Sequence, residues 1–250
     1  MVFENILDPV FNPLLKMHPA LAILLMAFLI TLLITLVYKF TTDQKKMKKL
    51  KEEMKQYQKK TRELSKKDPK KAMELQQEAM KGNLDYMKSS FKSTLYTLIP
   101  IIIIFGWLNT HMAYYPINPG TEFTFTAYFA EGHAPTAQLS SIPDLEIFSN
   151  ATRPIEGGQA AWKLKGAEGE YKLTLDYNDE QYEQSLLISS QNKYAPPEKV
   201  FSNSKLKKTV IGNEKIYPLK DLGIKLNWLW TYIIFSVLMS MGIRKLLKVY

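Results

Sequence analysis

The chain has 250 residues, no cysteine, and a net charge of +9 from 33 Lys and Arg against 24 Asp and Glu. The lack of cysteine excludes a disulfide framework and thiolate chemistry. The charge is concentrated: residues 39–92 carry 17 basic and 8 acidic side chains, a local excess equal to that of the whole chain. The apolar residues are blocked in the same way, which points to membrane spans and appendages rather than one soluble core.

Residues 1–19 place Phe3, Ile6, Leu7, Phe11, Leu14 and Leu15 among acidic residues and Pro9, Pro13 and Pro19. That pattern suggests short helical turns lying on a membrane surface. Residues 20–40 then form the first span, since Ala20 to Tyr38 contains no charge and about 20 apolar residues cross a bilayer. A cleaved signal peptide would put its basic cluster before the apolar run, whereas here it follows, so the span reads as a retained anchor. Thr31, Thr35 and Lys39 depart from pure hydrocarbon at i, i+4 and i+8, on one helix face.

Residues 41–92 read as a basic helical hairpin. Met47, Leu50, Met54, Tyr57, Thr61 and Leu64 recur at spacings of three and four, a narrow coiled-coil seam amid charge. Asp68-Pro69 stops one helix and starts the next, Asp68 as cap and Pro69 at the first helical position. The return arm shows Met73, Met80, Leu84, Met87 and Phe91 on one face, which would fill the same seam or offer a pliant surface to varied apolar segments. Antiparallel arms of equal length bring the chain back to the membrane.

The second span, 93–115, opens on Ser93, Thr94 and Thr97 and continues through Pro100, where a kink is expected, into Ile101 to Phe105. Residues 116–225 change period. Phe123, Phe125 and Phe129, then Trp162 and Leu164, then Tyr171, Leu173, Leu175 and Tyr177 alternate with polar residues, as half-buried strands do. Asn178-Asp179 is expected to turn a hairpin, and Gly212-Asn213 another. The result is an all-β, sandwich-like domain, immunoglobulin-like in outline, with a glycosylation sequon at Asn150-Ala151-Thr152. The third span, 226–243, begins with Trp228, Trp230 and Tyr232, carries Ser236 and Ser240 on one face, and leads into the basic tail 244–250. The excess of Lys and Arg puts hairpin and tail in the cytosol and the N-terminus and β-domain outside, in a multi-pass protein of the cell membrane.

All three spans concentrate small hydroxyls in the half nearer the hairpin: Thr31 and Thr35, Thr94 and Thr97, Ser236 and Ser240. If those faces converge, they form a recess wet toward the cytosol and closed toward the outside, with Lys39 near its mouth. Helix packing by hydroxyl glue is the simpler alternative.

The order of an N-out span, a basic hairpin with an Asp-Pro tip, a span reading Thr97-Leu-Ile-Pro-Ile-Ile-Ile-Ile-Phe-Gly-Trp107, and a last span reading Trp228-Leu-Trp-Thr-Tyr-Ile-Ile234 before Arg244-Lys-Leu-Leu247 resembles the archaeal YidC-like proteins of the YidC/Oxa/Alb insertases. The resemblance covers the three spans and the hairpin. It implies insertion of hydrophobic segments of newly made proteins through a cytosol-facing hydrophilic groove lined by Thr31, Thr35, Lys39, Thr94, Thr97, Ser236 and Ser240. It also implies that the hairpin contacts substrate or ribosome, for which Met47, Met54, Met73, Met80 and Met87 and the basic Lys45, Lys46, Lys48 and Lys49 are the candidates. The expected partners are nascent membrane proteins, the ribosome through its RNA, anionic lipids and partner membrane subunits. No cofactor or metal is implied, and the chain has no phosphate-binding Gly-Lys-Ser/Thr loop. An enzyme is not expected, because His18, His111 and His133 are scattered and no nucleophile elbow or His-Glu-x-x-His occurs. An ion channel or transporter subunit, or a scaffold displaying the β-domain, are the other classes that fit this layout.

Overall fold

The computed structural model describes residues 4–131, 134–148 and 150–249, so Phe3 and His133 lie outside the described residues. The helices are α1 (Glu4–Leu15), α2 (Pro19–Thr41), α3 (Gln44–Leu64), α4 (Pro69–Met112) and α5 (Trp228–Leu246), with a 3-10 turn at Lys220–Leu222. The strands are β1 (Phe123–Phe129), β2 (Thr136–Ile142), β3 (Glu146–Ile147), β4 (Thr152–Pro154), β5 (Gln159–Lys165), β6 (Gly169–Tyr177), β7 (Glu180–Ile188), β8 (Glu198–Val200) and β9 (Leu206–Ile211). They fall into two compact units: a helical one of Met1–Leu7, Ala20–Phe105 and Leu229–Tyr250, and a second of Asp8–Pro19 and Gly106–Trp228. Three helical stretches are long and apolar enough to cross a membrane, Pro19–Thr41, Ser93–Met112 and Trp228–Leu246. Helices satisfy every backbone group internally, which hydrocarbon demands.

The hairpin follows from its caps. Asp43 accepts from the backbone N–H groups of Lys45 and Lys46 at 2.9 and 3.1 Å and starts α3. Asp68 accepts from the N–H of Lys71 at 3.1 Å and starts α4 with Pro69 in the first turn. The arms run antiparallel: Met54 lies against Gly82, and farther from the tip Met47 shares a cluster with Tyr86. The return arm does not end at the membrane. It continues as one helix of 44 residues through Pro100 into the second span.

One expectation about the hairpin is overturned. Met47 is buried and Leu50, Met54, Tyr57, Thr61 and Leu64 are half-buried, so the α3 side of the seam is as read. On α4, however, Met73, Met80, Leu84, Met87 and Phe91 are exposed. The inward face is a second stripe of mostly small residues, Ala72, Leu75, Ala79, Gly82, Tyr86 and Ser90, leading into Ser93 and Thr97. The physical reason is volume. Opposite Met54 the room is small, since a Cβ built on Gly82 would sit in van der Waals contact with Met54 Cγ at 3.5 Å, whereas Met47 packs against the larger Tyr86.

The β region is a two-sheet sandwich. One sheet has the order β3-β5-β1-β9-β8 and the other β4-β2-β6-β7, with all strand pairs antiparallel. The order differs from the immunoglobulin arrangement of first-second-fifth-fourth against third-sixth-seventh strands, so that outline does not hold. The inner faces meet in one core that includes Phe125, Trp162 and Leu164 from the first sheet and Leu139, Leu173 and Leu175 from the second. The Trp162 indole N–H is satisfied by the Ala151 carbonyl at 2.8 Å. Asn178 and Asp179 take φ of 53° and 60° between β6 and β7, as a two-residue hairpin turn requires. Gly212-Asn213 turns no hairpin. The chain after β9 pairs instead with the exit from α4, Tyr115 N–H donating to Glu214 O at 2.8 Å and Ile216 N–H to Ala113 O at 3.0 Å. Gly212 is there for clearance, since a Cβ would meet the Thr124 carbonyl at 3.0 Å. The Asn150 sequon is exposed, its side chain accepting from Thr152 N–H at 3.2 Å.

The packing at Gly82 makes opposite predictions for two substitutions. Gly82→Ala adds only an ordinary contact and removes the helix penalty of glycine, so it stabilises the hairpin by about 1 kcal/mol. Gly82→Leu forces the arms apart and destabilises it. Thermal unfolding followed by circular dichroism distinguishes the two.

Candidate functional site

Along α2 the buried face is Ala22, Ile23, Met26, Ala27 and Ile30, then Thr31, Thr35 and Tyr38. The polar end of that face is the end nearer the hairpin. On α4 the corresponding positions are Ser93 and Thr97, both buried, with Thr94 exposed. On α5, Ser236 and Ser240 are half-buried. In this state Thr31, Thr35 and Thr97 are 1–6 % exposed, so they belong to a closed seam.

The hydroxyls donate to their own helices. Thr35 Oγ1 donates to Thr31 O at 2.7 Å, Thr97 Oγ1 to Thr94 O at 3.0 Å, and Ser236 Oγ to Ile233 O at 2.9 Å. A hydroxyl whose proton is committed this way keeps its oxygen lone pairs. The seam therefore offers acceptors, which suit water or the N–H groups of an incoming backbone.

Lys39 does not join this face. It is exposed, and Tyr38 takes the inward place at the end of the span. The cation that lies against Tyr38 is Arg244 at the end of α5, 5.5 Å from the ring centroid. The Tyr38 hydroxyl is in turn 3.4 Å from both Tyr86 Oη and Ser90 Oγ. Tyr38, Tyr86, Ser90 and Arg244 thus gather α2, α4 and α5 at the hairpin end. A tyrosine closing an apolar run and an arginine opening a basic tail both read as interfacial residues, so the sequence carried no sign that they meet.

The other candidate residues separate by exposure. Met54 and Pro100 are half-buried, and Lys45, Lys46, Lys48 and Lys49 are exposed, with Lys48 and Lys49 within 4.0 and 3.8 Å of Glu52 and Glu53. The exposed methionines of α4 prove to be part of something longer. Met73, Met80, Leu84, Met87, Phe91, Leu95, Leu98 and Ile102 are each 46–62 % exposed. At about 100° per residue they fall in one stripe about 80° wide, running about 44 Å from near the tip of the hairpin into the second span. It lies about 140° around the helix from the stripe of small residues.

At the opposite end of the spans, within the second unit, the strand-to-strand loop Ser189–Pro197 stitches α1 to the end of α4. Asn192 Nδ2 donates to Leu15 O at 3.0 Å, Lys193 Nζ to Asp8 Oδ2 at 2.6 Å, and the Tyr194 hydroxyl to Asn109 O. Asp8 also accepts from the Trp107 indole at 2.8 Å, and Trp107 stacks on the buried ring of His111 at 4.4 Å. Ala113 N–H donates to the Tyr194 oxygen at 3.1 Å, and burial pushes the Tyr194 hydroxyl up to about 12, so it remains a donor. Burial would raise Asp8, but the hydrogen bonds from Lys193 and Trp107 outweigh it and hold the carboxyl below its ordinary 3.8. This closure joins residues 81 to 185 positions apart, and nothing in local sequence marked it.

Two outcomes follow for Asp8. A carboxyl with a depressed pKa contributes its full stability above its unfolded value, so the contribution begins to fall as pH drops through about 3.8 and is gone only below the lowered folded-state value. A double-mutant cycle with Asp8→Asn and Lys193→Met should give a coupling of about 1–3 kcal/mol, since this is a partly buried, charge-assisted bond.

A family model described as "Integral membrane protein EMC3/TMCO1-like" matches residues 5–131, which takes in α1, both hairpin arms, the first two spans and β1. No curated protein and no solved structure matches the chain. The match extends over half the chain and includes the hydroxyl seam of α2 and α4 and the exposed stripe. The protein is therefore a member of the EMC3/TMCO1-like family, within the Oxa1/YidC/Alb3/EMC3 insertase superfamily, and its function is related to membrane-protein insertion.

Proposed function

We propose that the protein is an insertase and chaperone that guides hydrophobic segments of newly made proteins into the bilayer without nucleotide hydrolysis. Within the superfamily the resemblance is to the archaeal YidC-like proteins. The hairpin, a coiled coil by its three-four spacing, faces the cytosol together with residues 244–249. The β-domain faces outside, in keeping with 12 basic against 14 acidic residues in 116–225.

The observation that carries this reading is the exposed apolar stripe of α4. A hydrophobic segment leaving the ribosome has to stay shielded from water until it meets lipid. A stripe of flexible methionines can pack against segments of many shapes, and from Met80 onward this one runs from hairpin into span, with Gln77 the polar position between Met73 and Met80. The basic hairpin would keep ribosomal RNA or anionic headgroups close.

The second requirement is passage of the polar residues that flank the segment. An unsatisfied backbone group in hydrocarbon costs several kcal/mol. The acceptor-lined seam of Thr31, Thr35, Ser93 and Thr97 answers this when it parts, and the span to move is α5, which has the least buried surface of the three. The outer half of α2, apolar and without hydroxyls from Ala20 to Ile30, offers no such acceptors. Arg244, not Lys39, is the cation at the mouth.

Two sets of variants test the proposal in proteoliposomes carrying a single-span substrate. Met80→Ser, Met87→Ser and Phe91→Ser combined remove exposed side chains only. They should lower insertion about tenfold, equivalent to about 1.4 kcal/mol, with unchanged thermal stability. Thr35→Leu with Thr97→Leu removes the acceptors and should slow translocation of a polar flank more than insertion of a short one. Full insertion by both sets of correctly folded variants would remove the proposal.

A further inference from the structure

Where the hairpin meets the spans, a small apolar cluster forms from residues far apart in sequence. Met47 is fully buried, Tyr38 and Val249 are each 8 % exposed, and Tyr86 and Leu247 pack against them. Val249 reaches the cluster by a hook after α5. Val249 N–H donates to Arg244 O at 3.0 Å and Lys248 N–H to Lys245 O at 3.3 Å, the paired bonds of a Schellman turn. Such a turn places its next-to-last residue in the left-handed region, usually a glycine. Here that residue is Lys248, with φ of 50°. A lysine in that conformation is strained, and burial of Val249 against Met47 is the interaction available to offset it. The hook is also selective, since it turns Val249 inward while Leu246 is left 82 % exposed.

The same segment ties α5 to the seam. Arg244, whose carbonyl closes the turn, lies over the ring of Tyr38. Tyr38 in turn contacts Tyr86 and Ser90 on α4. One residue beyond Tyr86 stands Met87 of the exposed stripe. The notch and the stripe thus share one level of α4 on different faces, about 100° apart at this point, one filled and the other open.

We infer that the notch of Tyr38, Met47 and Tyr86 is a binding site for a short apolar stretch of polypeptide, and that residues 247–249 occupy it as an internal stand-in which an arriving hydrophobic segment displaces. The inference rests on the insertase reading for the identity of the displacing segment, though the notch and its occupant stand on contacts alone. The stand-in contributes two apolar side chains, Leu247 and Val249. A client of about 20 apolar residues contributes many more and gains the stripe as well. Displacing the hook also releases Arg244 from Tyr38, which unfastens the least buried span from the seam. Arrival of a client and opening of the seam become one event.

The chain has no native cysteine, so single cysteines report cleanly. In full-length protein in nanodiscs, Val249→Cys should react with a maleimide dye at least tenfold more slowly than Leu246→Cys. A synthetic 20-residue Leu/Ala transmembrane peptide should speed Val249→Cys labelling tenfold or more and leave Leu246→Cys unchanged. Equal rates at the two positions without peptide, or a Val249→Cys rate that peptide does not alter, would overturn the inference. Met47→Cys in a Val249→Asp background reads the notch from its other side: labelling should be fast and then slowed by the peptide, and no slowing would equally overturn it. The insertion assay separates the two claims. Displacement by peptide in a protein that inserts nothing would remove the insertase reading and leave the binding site standing.

Discussion

The inward face of α4 is a line of mostly small side chains, and Gly82 on it is where α3 comes near through Met54. Ala72, Leu75 and Ala79 belong to the same line, which continues as Ser90, Ser93 and Thr97. Because α4 is a single helix of 44 residues, what faces inward in the hairpin fixes what faces inward in the span. The exposed stripe is the necessary complement. Turning the small residues inward leaves Met73, Met80, Met87 and Phe91 outside, where they offer an apolar surface at the cost of solvent exposure. Singly exposed apolar residues are ordinary, and within the span such residues face lipid; it is the stretch from Met80 to Phe91, outside the span, that is unusual.

The contacts around Asp8 in the second unit and those around Tyr38 in the helical unit use different chemistry. At the β-domain side, charge-assisted bonds and an aromatic stack converge on Asp8 and Trp107, in a partly buried setting where such bonds are strong. At the hairpin side the contacts are a cation over a ring, long hydroxyl contacts of 3.4 Å and a few apolar side chains. Each of these is individually weak.

Much of this was legible in the sequence where a local rule applied. Span existence followed from uncharged runs, the hairpin tip from Asp68-Pro69, and strands β1, β5 and β6 from strict alternation around Phe125, Trp162 and Leu173. The hydroxyl gradient was legible too, since Thr31, Thr35 and Thr97 need only helical spacing to share a face. The failures came where two patterns compete on one element. The return arm carries a stripe of large apolar residues and a stripe of small ones, and hydrophobicity favours the first while packing volume against Met54 decides for the second. Gly212-Asn213 looked like a turn because a glycine needed for clearance against Thr124 is indistinguishable, in one sequence, from one needed for its dihedral freedom. Lys39 was placed with the hydroxyl face by its spacing, yet its side chain is exposed. Arg244 reaches that face only through the tertiary contact with Tyr38.

The most direct measurement is site-specific photocrosslinking to a ribosome-bound nascent membrane protein from Thr35, Thr97 and Ser240, with matched probes at Ile23 and Ile103. Adducts from the three hydroxyl positions and none from the two apolar ones are expected of a seam that opens from the hairpin side. Adducts from neither set, or equally from both, would contradict it.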